Sequence, residues 1–219
     1  LSCPADTEPR WRRRPSERPE EILEAALAVF AEQGLAGARV EDIAAQAGVS
    51  KGTLYLYFPS KDEVFREALR LKTRRILEGL TVASTPGDPA ERLARLVDAY
   101  WAYLRQPSFM RYYRLLLAEL DQFPELMRFY SEEVSGRIHE LVAGIIREGV
   151  AKGTFKNEPP EVVARMLIGL LIQHAVWTGS RELFPHLGGR SDEDLVNEIK
   201  DFLFDALMAP GAGKSGGSR

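Results

Sequence analysis

The chain has 219 residues, is 45 % apolar and 28 % charged, and carries one cysteine and a formal net charge of −3. These values exclude a disulfide-stapled scaffold, a low-complexity chain and a broadly basic nucleic-acid coat. Residues 1–75 hold 13 Lys+Arg against 12 Asp+Glu and the remaining 144 hold 16 against 20, so any affinity for a polyanion rests on a few placed cations in the N-terminal part.

Residues 1–18 read as a disordered basic arm, with Pro4, Pro9 and Pro15 around Arg10, Arg12, Arg13 and Arg14. Those arginines can track phosphates or enter a minor groove, and equally can remain a solvated tail. No apolar run follows them, so no secretory leader is expected, and the lone Cys3 fits a reducing, cytoplasmic setting. The longest apolar run, Met166 to Ile172, ends at Gln173 and His174, too short to span a bilayer.

From Pro19 onward only helical periodicity is legible, which predicts an all-α fold of about nine helices. The first helix runs from near Pro19 to Gly34 and buries Ile22, Ala26 and Phe30 on one stripe. The second spans about Val40 to Ala47, with Ile43, Ala44 and Ala47 inward and Gly48 as a left-handed stop. Ser50 caps a third helix from Lys51 to Tyr57, and Ser60 with Glu63 opens a fourth that continues toward Leu80. Asp88, Pro89 and Glu91 start the fifth, whose inward residues are Leu93, Leu96, Val97, Tyr100, Trp101 and Leu104. Pro107 begins the sixth, with Met110, Tyr113, Leu116, Leu117 and Leu120 inward. Pro124 begins a long seventh that closes near Gly153 and buries Leu126, Tyr130, Val134, Ile138, Leu141 and Ile145.

Pro159 and Pro160 open the eighth helix. Val163, Met166, Leu167, Leu170, Leu171 and Trp177 line one face, and Ile168, Ile172 and Ala175 another. A helix apolar nearly all round is buried nearly all round, and a second subunit is the simplest cover. Ser191 opens the ninth helix, with Leu195, Ile199, Phe202, Leu203 and Ala206 on its main stripe. The expectation is a homodimeric four-helix bundle using Met166, Leu170, Leu171, Phe202, Leu203 and Ala206, although burial within one subunit would satisfy the same pattern. The domain reading is a helix-turn-helix head at 19–66, a linking helix at 60–80, a body at 67–209 and a flexible tail at 210–219.

The third helix carries the chemistry. Leu54 and Phe58, four apart, can anchor it, which leaves Lys51, Gly52, Thr53, Tyr55 and Tyr57 outward. A short helix with a polar outer face after a tight turn is built to enter a DNA major groove. Hydroxyls of Ser50, Thr53, Tyr55 and Tyr57 and the charges of Lys51 and Lys61 are candidate phosphate contacts.

The run GVSKGTLYLYFPSKDEVF, with AALAVFAEQG and EDIAAQAG before it, resembles the head of the TetR/AcrR family of bacterial transcriptional regulators over about residues 20–70. YYRLLLAEL and FPELMRFY resemble the core of some subgroups more weakly. The family's usual Thr or Ser before the second helix is replaced here by Ala38 and Arg39, so a cap is lost and Arg39 can supply the phosphate contact. The resemblance implies DNA-contact roles for Ser50, Lys51, Gly52, Thr53, Tyr55, Tyr57 and Lys61. It also implies a pseudo-palindromic double-stranded operator, a homodimer, no cofactor or catalysis, and a body that binds a small effector. Candidate effector contacts are Trp101, Phe109, Tyr113, Tyr130, Gln173, His174 and Trp177, within a body that also holds Tyr103, Tyr112, Phe123 and Phe129. Aromatic stripes at helical spacing equally describe plain core.

Two patterns imitate enzyme motifs. Gly211 to Gly216 fits a glycine-rich phosphate loop but follows no strand and opens no helix, and His139-Glu140 lacks a second histidine at Ala143. No metal set and no nucleophile–base spacing is expected.

Overall fold

The computed structural model describes residues 18–120 and 124–210, so the basic arm, Phe123 and the glycine-rich tail lie outside the described residues. The fold is all-α. Ten α-helical segments follow in order: α1 Arg18–Gly37, α2 Val40–Gln46, α3 Lys51–Tyr57, α4 Lys61–Ala83, α5 Pro89–Leu104, α6 Pro107–Leu120, α7 Pro124–Phe129, α8 Gly136–Ala151, α9 Pro160–Thr178 and α10 Asp192–Leu207. The chain divides into two compact units between Leu71 and Lys72, inside α4.

In the N-terminal unit, Gly34 (φ 74°, ψ 166°) breaks α1 where the sequence places its end. Ile22, Ala26, Phe30, Ile43, Leu54 and Phe65 are fully buried, and the Phe30 and Phe65 rings meet edge to face at 5.2 Å. Gly48 (φ 67°) ends α2 in a Schellman turn, with Val49 N donating to Ala44 O at 2.9 Å and Gly48 N to Ala45 O at 3.1 Å. Ser50 Oγ accepts from Thr53 N at 3.0 Å to start α3, and Ser60 Oγ accepts from Glu63 N at 3.1 Å to start α4.

In the C-terminal unit, Asp88 Oδ1 accepts from Ala90 N and Glu91 N at 2.8 and 3.1 Å and fixes the first turn of α5. The core is drawn from α5 (Leu93, Leu96, Val97), α8 (Val142, Ile145, Ile146), α9 (Ala164, Leu167, Leu171) and α10 (Leu195, Ile199, Leu203).

The structure departs from the sequence reading in several places. The single helix from Pro124 to Gly153 is divided by a π-helical turn, Tyr130–Ser135, between α7 and α8. Gly136 donates its N–H to Ser131 O across that turn, and a Cβ on Gly136 would stand 2.9 Å from the same oxygen, so the missing side chain admits the wider turn. On α6 Leu116 is buried as expected, but Phe109, Tyr112 and Leu115 face inward in place of Met110, Tyr113 and Leu117, the last 57 % exposed. The cause is that Phe109 and Tyr112 take the core positions, leaving Met110 and Tyr113 half-buried. Within one protomer helix α9 is not buried all round, which disfavours the alternative of cover by a single subunit: Ala164, Leu167, Ile168, Leu171 and Ala175 face the core, while Met166 is 63 % exposed. By length and composition alone α9 is apolar enough to cross a bilayer, contrary to the sequence reading, because the helix as a whole, Pro160–Thr178, extends well beyond the apolar run Met166 to Ile172.

After α8 the chain reverses at Gly153 (φ 72°), and Phe155 makes an isolated β-bridge with Met208. Phe155 lies on Gly149 so closely that a Cβ there would fall 2.1 Å from Phe155 Cδ2.

Candidate functional site

Helix α3 is held by Leu54, fully buried, and Phe58, 6 % exposed. Lys51, Gly52, Tyr55 and Tyr57 point to solvent and Thr53 is half-buried. Leu56 stands 81 % exposed beside them. The Ser50 and Thr53 hydroxyls share a hydrogen bond of 2.8 Å. Lys51 is paired with Glu41 of α2, and its ammonium sits 5.8 Å from the Tyr55 ring. The hydrogen bond from Lys51 holds the Glu41 carboxyl below its ordinary range and in turn raises Lys51.

Gly52 is the informative position. A Cβ there would meet only Ser50 Oγ, at 3.8 Å. No neighbour within the unit requires a glycine, yet glycine costs a helix about 1 kcal/mol relative to alanine. Packing within the head therefore does not account for this glycine.

Lys61, a candidate phosphate contact, is engaged within the head. Its ammonium donates to Leu35 O at 2.6 Å, Ala38 O at 3.0 Å and Ala36 O at 3.4 Å. Helix ends leave carbonyls without intrahelical partners, and the three N–H bonds of one lysine satisfy those at the end of α1. Arg39 is exposed at the N-cap of α2 and makes no cap bond, and Ala38 beside it is buried.

The expected effector contacts separate into two groups. Tyr100 stacks on Tyr103 (6.2 Å), which meets Phe109 edge on (5.7 Å), which stacks on Tyr113 (5.5 Å). Tyr130, the first residue of the π turn, belongs electrostatically to this group, since burial and the neighbouring Tyr113 push its phenol up to about 12. At the end of α9, Trp177 meets His174 (5.1 Å), Phe184 (5.8 Å) and His186 (5.1 Å). His174 Nδ1 lies 2.8 Å from Leu170 O of its own helix, and Gln173 is exposed. Trp101 is buried with its Nε1 unpartnered among the described residues, as are the hydroxyls of Tyr103 and Tyr112.

Lys72 was not legible in the sequence as part of this group. Its ammonium stands 4.4 Å from the Tyr112 ring and 6.0 Å from that of Tyr103. Burial, with Arg111 nearby, lowers its pKa. Among the described residues no group of three or more His, Cys, Asp or Glu is placed to hold a metal.

Residues 22–68 match the family model for bacterial regulatory proteins of the tetR family, and residues 91–206 match that for the C-terminal domain of AefR-like transcriptional repressors. The HTH-type transcriptional repressor SCO4008 of Streptomyces coelicolor is 30 % identical over 75 % of this chain and 80 % of its own. The HTH-type transcriptional repressor KstR2 of Rhodococcus jostii is 30 % identical over 89 % of this chain and 93 % of its own. A crystal structure described as a transcriptional regulator from Saccharomonospora viridis in complex with choline superposes with a TM-score of 0.70 at 26 % identity, covering 89 % of this chain and all (100 %) of that one. With the head and the body each matched, the chain belongs to the TetR family of bacterial DNA-binding transcriptional regulators.

Proposed function

We propose that the protein is a homodimeric repressor that leaves a pseudo-palindromic operator when its body binds a small apolar or aromatic effector. The observation that carries this reading is α3, an anchored helix whose outer face combines Lys51, Tyr55 and Tyr57 with the uncovered backbone of Gly52. Arg39, Ser50 and Thr53 complete the proposed contacts. Repression is supported by the repressor descriptions of the body model and of both curated relatives. Ligand binding is supported by the choline held by the structural relative.

The dimer seam is proposed on the outer faces of α9 and α10. Met166 and Phe202 are 63 % and 68 % exposed, large apolar side chains at odds with a solvent-facing surface. Leu170 and Ala206 flank them, whereas Leu171 and Leu203 belong to the protomer's own core. Two heads on a twofold axis must present α3 about one DNA turn apart, or at a multiple of that spacing. An effector that binds a different spacing more tightly lowers operator affinity, ordinarily by roughly 5–150-fold.

The test is fluorescence anisotropy of labelled DNA from upstream of the protein's own gene, with sedimentation of the free protein. Sequence-selective binding by a dimer is expected, and Met166→Glu with Phe202→Glu should give a folded monomer that binds far more weakly. A wild-type monomer, or binding indifferent to sequence, would overturn the reading.

A further inference from the structure

We infer that the body's ligand is an apolar monocarboxylate whose head group is taken by Lys72 and by the hydroxyls of Tyr103 and Tyr112. The inference deepens the proposed effector response and rests on it.

Three observations converge within the C-terminal unit. Tyr112 is 7 % exposed and Tyr103 half-buried, and the hydroxyl of each is buried without a hydrogen-bond partner among the described residues. Unmade hydrogen bonds of buried polar groups are costly, and native structures rarely leave two on rings that share one lysine. Lys72 is half-buried over both rings, no carboxylate among the described residues is within ion-pair distance of it, and the one charge that shifts it, after burial, is another cation, Arg111. A desolvated ammonium without an acid, beside a guanidinium, is an electrostatic site for an anion.

The hydroxyls decide the kind of anion. Burial pushes the phenols of Tyr103 and Tyr112 well up, so both stay protonated at neutral pH and offer O–H donors. One ammonium and two hydroxyls match the two oxygens of a carboxylate, an acceptor-only group. The tail follows from the half-buried rings beyond the head group: Tyr113, backed by the buried Phe109 on which it stacks, and Tyr130 from the π turn. Such a surface gains by covering an alkyl or aryl body.

The test titrates the full chain with octanoate and phenylacetate, each against its primary alcohol, octanol and 2-phenylethanol, by calorimetry. The alcohols keep the tail and remove the charge. At least one acid should bind about tenfold or more tighter than its alcohol. Lys72→Met should bring that ratio to about one while alcohol binding persists. Tyr112→Phe, a change of one oxygen, should weaken the acid severalfold and leave the alcohol alone, and it serves if Lys72→Met does not fold. Equal affinities in the wild type, no binding of either acid, or an acid preference that survives the variants would overturn the inference. DNA release is read separately by anisotropy. An acid that binds without releasing DNA overturns the effector reading and leaves this site standing. Neutral compounds that release DNA regardless of Lys72 do the opposite.

Discussion

Lys61 Nζ lies 2.6 Å from the carbonyl oxygen of Leu35 and 3.0 Å from that of Ala38, so the first residue of α4 closes the end of α1. Hydrogen bonds from a charged donor contribute about 1.5–3 kcal/mol each way they are counted, so Lys61→Met should lower head stability by an amount of that order. Chemical denaturation should show the loss without DNA present. The salt dependence of whatever binding remains should keep its slope. A lysine that contacted phosphate would show the reverse pattern, with unchanged stability and a slope reduced by about one per contact.

Gly52→Ala separates folding from recognition. The Cβ has room, and alanine should stabilise α3 by up to about 1 kcal/mol. Operator binding should nonetheless weaken, because the methyl stands where backbone is proposed to approach the groove. Thermal melts and anisotropy on the same variant give the two signs.

Glu41 and Lys51 predict opposite changes from two surface substitutions. Glu41→Gln releases Lys51 from its acid and should tighten DNA binding. Lys51→Met should weaken binding and reduce the salt slope by about one per protomer. Both side chains are more than half exposed, at 52 % and 57 %, so neither change should move the melting temperature appreciably.

Gly149→Ala should destabilise the body by about 1–3 kcal/mol, the usual penalty for overpacking, because its methyl overlaps the Phe155 ring. Phe155→Leu in the same chain should recover part of the loss. Denaturant midpoints for the single and double variants measure the coupling.

Asp192 joins three elements. It accepts from Arg105 Nε at 2.7 Å and Arg181 Nη2 at 2.6 Å, while Arg105 also donates to Thr178 at 2.6 Å. Burial pulls the Asp192 carboxyl upward, but the two guanidiniums outweigh it and hold it below its ordinary value. A depressed carboxylate contributes stability above its unfolded pKa, about 3.9, and loses it as pH falls through the folded value. Arg105→Gln should therefore cost stability at pH 6, with the part owed to Asp192 vanishing below about pH 4. A gap between wild type and variant that stays constant across that window would assign the effect to Thr178 alone.

The elements easiest to read were those whose ends are written in local chemistry. Gly34, Gly48, Ser50 and Asp88 each mark a boundary by backbone freedom or by a cap, and α1 to α3 and α5 fall where those residues place them. Periodicity failed where two phases of a stripe are both apolar. On α6, Phe109–Tyr112 and Met110–Tyr113 are equally good faces, and only packing chooses between them. The π turn was hidden for a related reason: Gly136 inside a strong helical pattern looks tolerated rather than required. Lys61 and Lys72 show the limit for charged residues. Lys61 reads as a phosphate contact yet is engaged by carbonyls more than twenty positions away in sequence, and Lys72, which no motif singles out, lies over rings of α5 and α6.

The C-terminus of α10 is fastened to the turn after α8, with Lys156 N donating to Leu207 O at 2.8 Å and Ala209 N to Thr154 O at 3.1 Å. A fusion partner or affinity tag joined after Pro210 thus hangs from an anchored point and leaves both bonds intact. Truncation a few residues earlier removes that clasp, strips Met208 from Phe155 and frees the last turn of a core helix to fray.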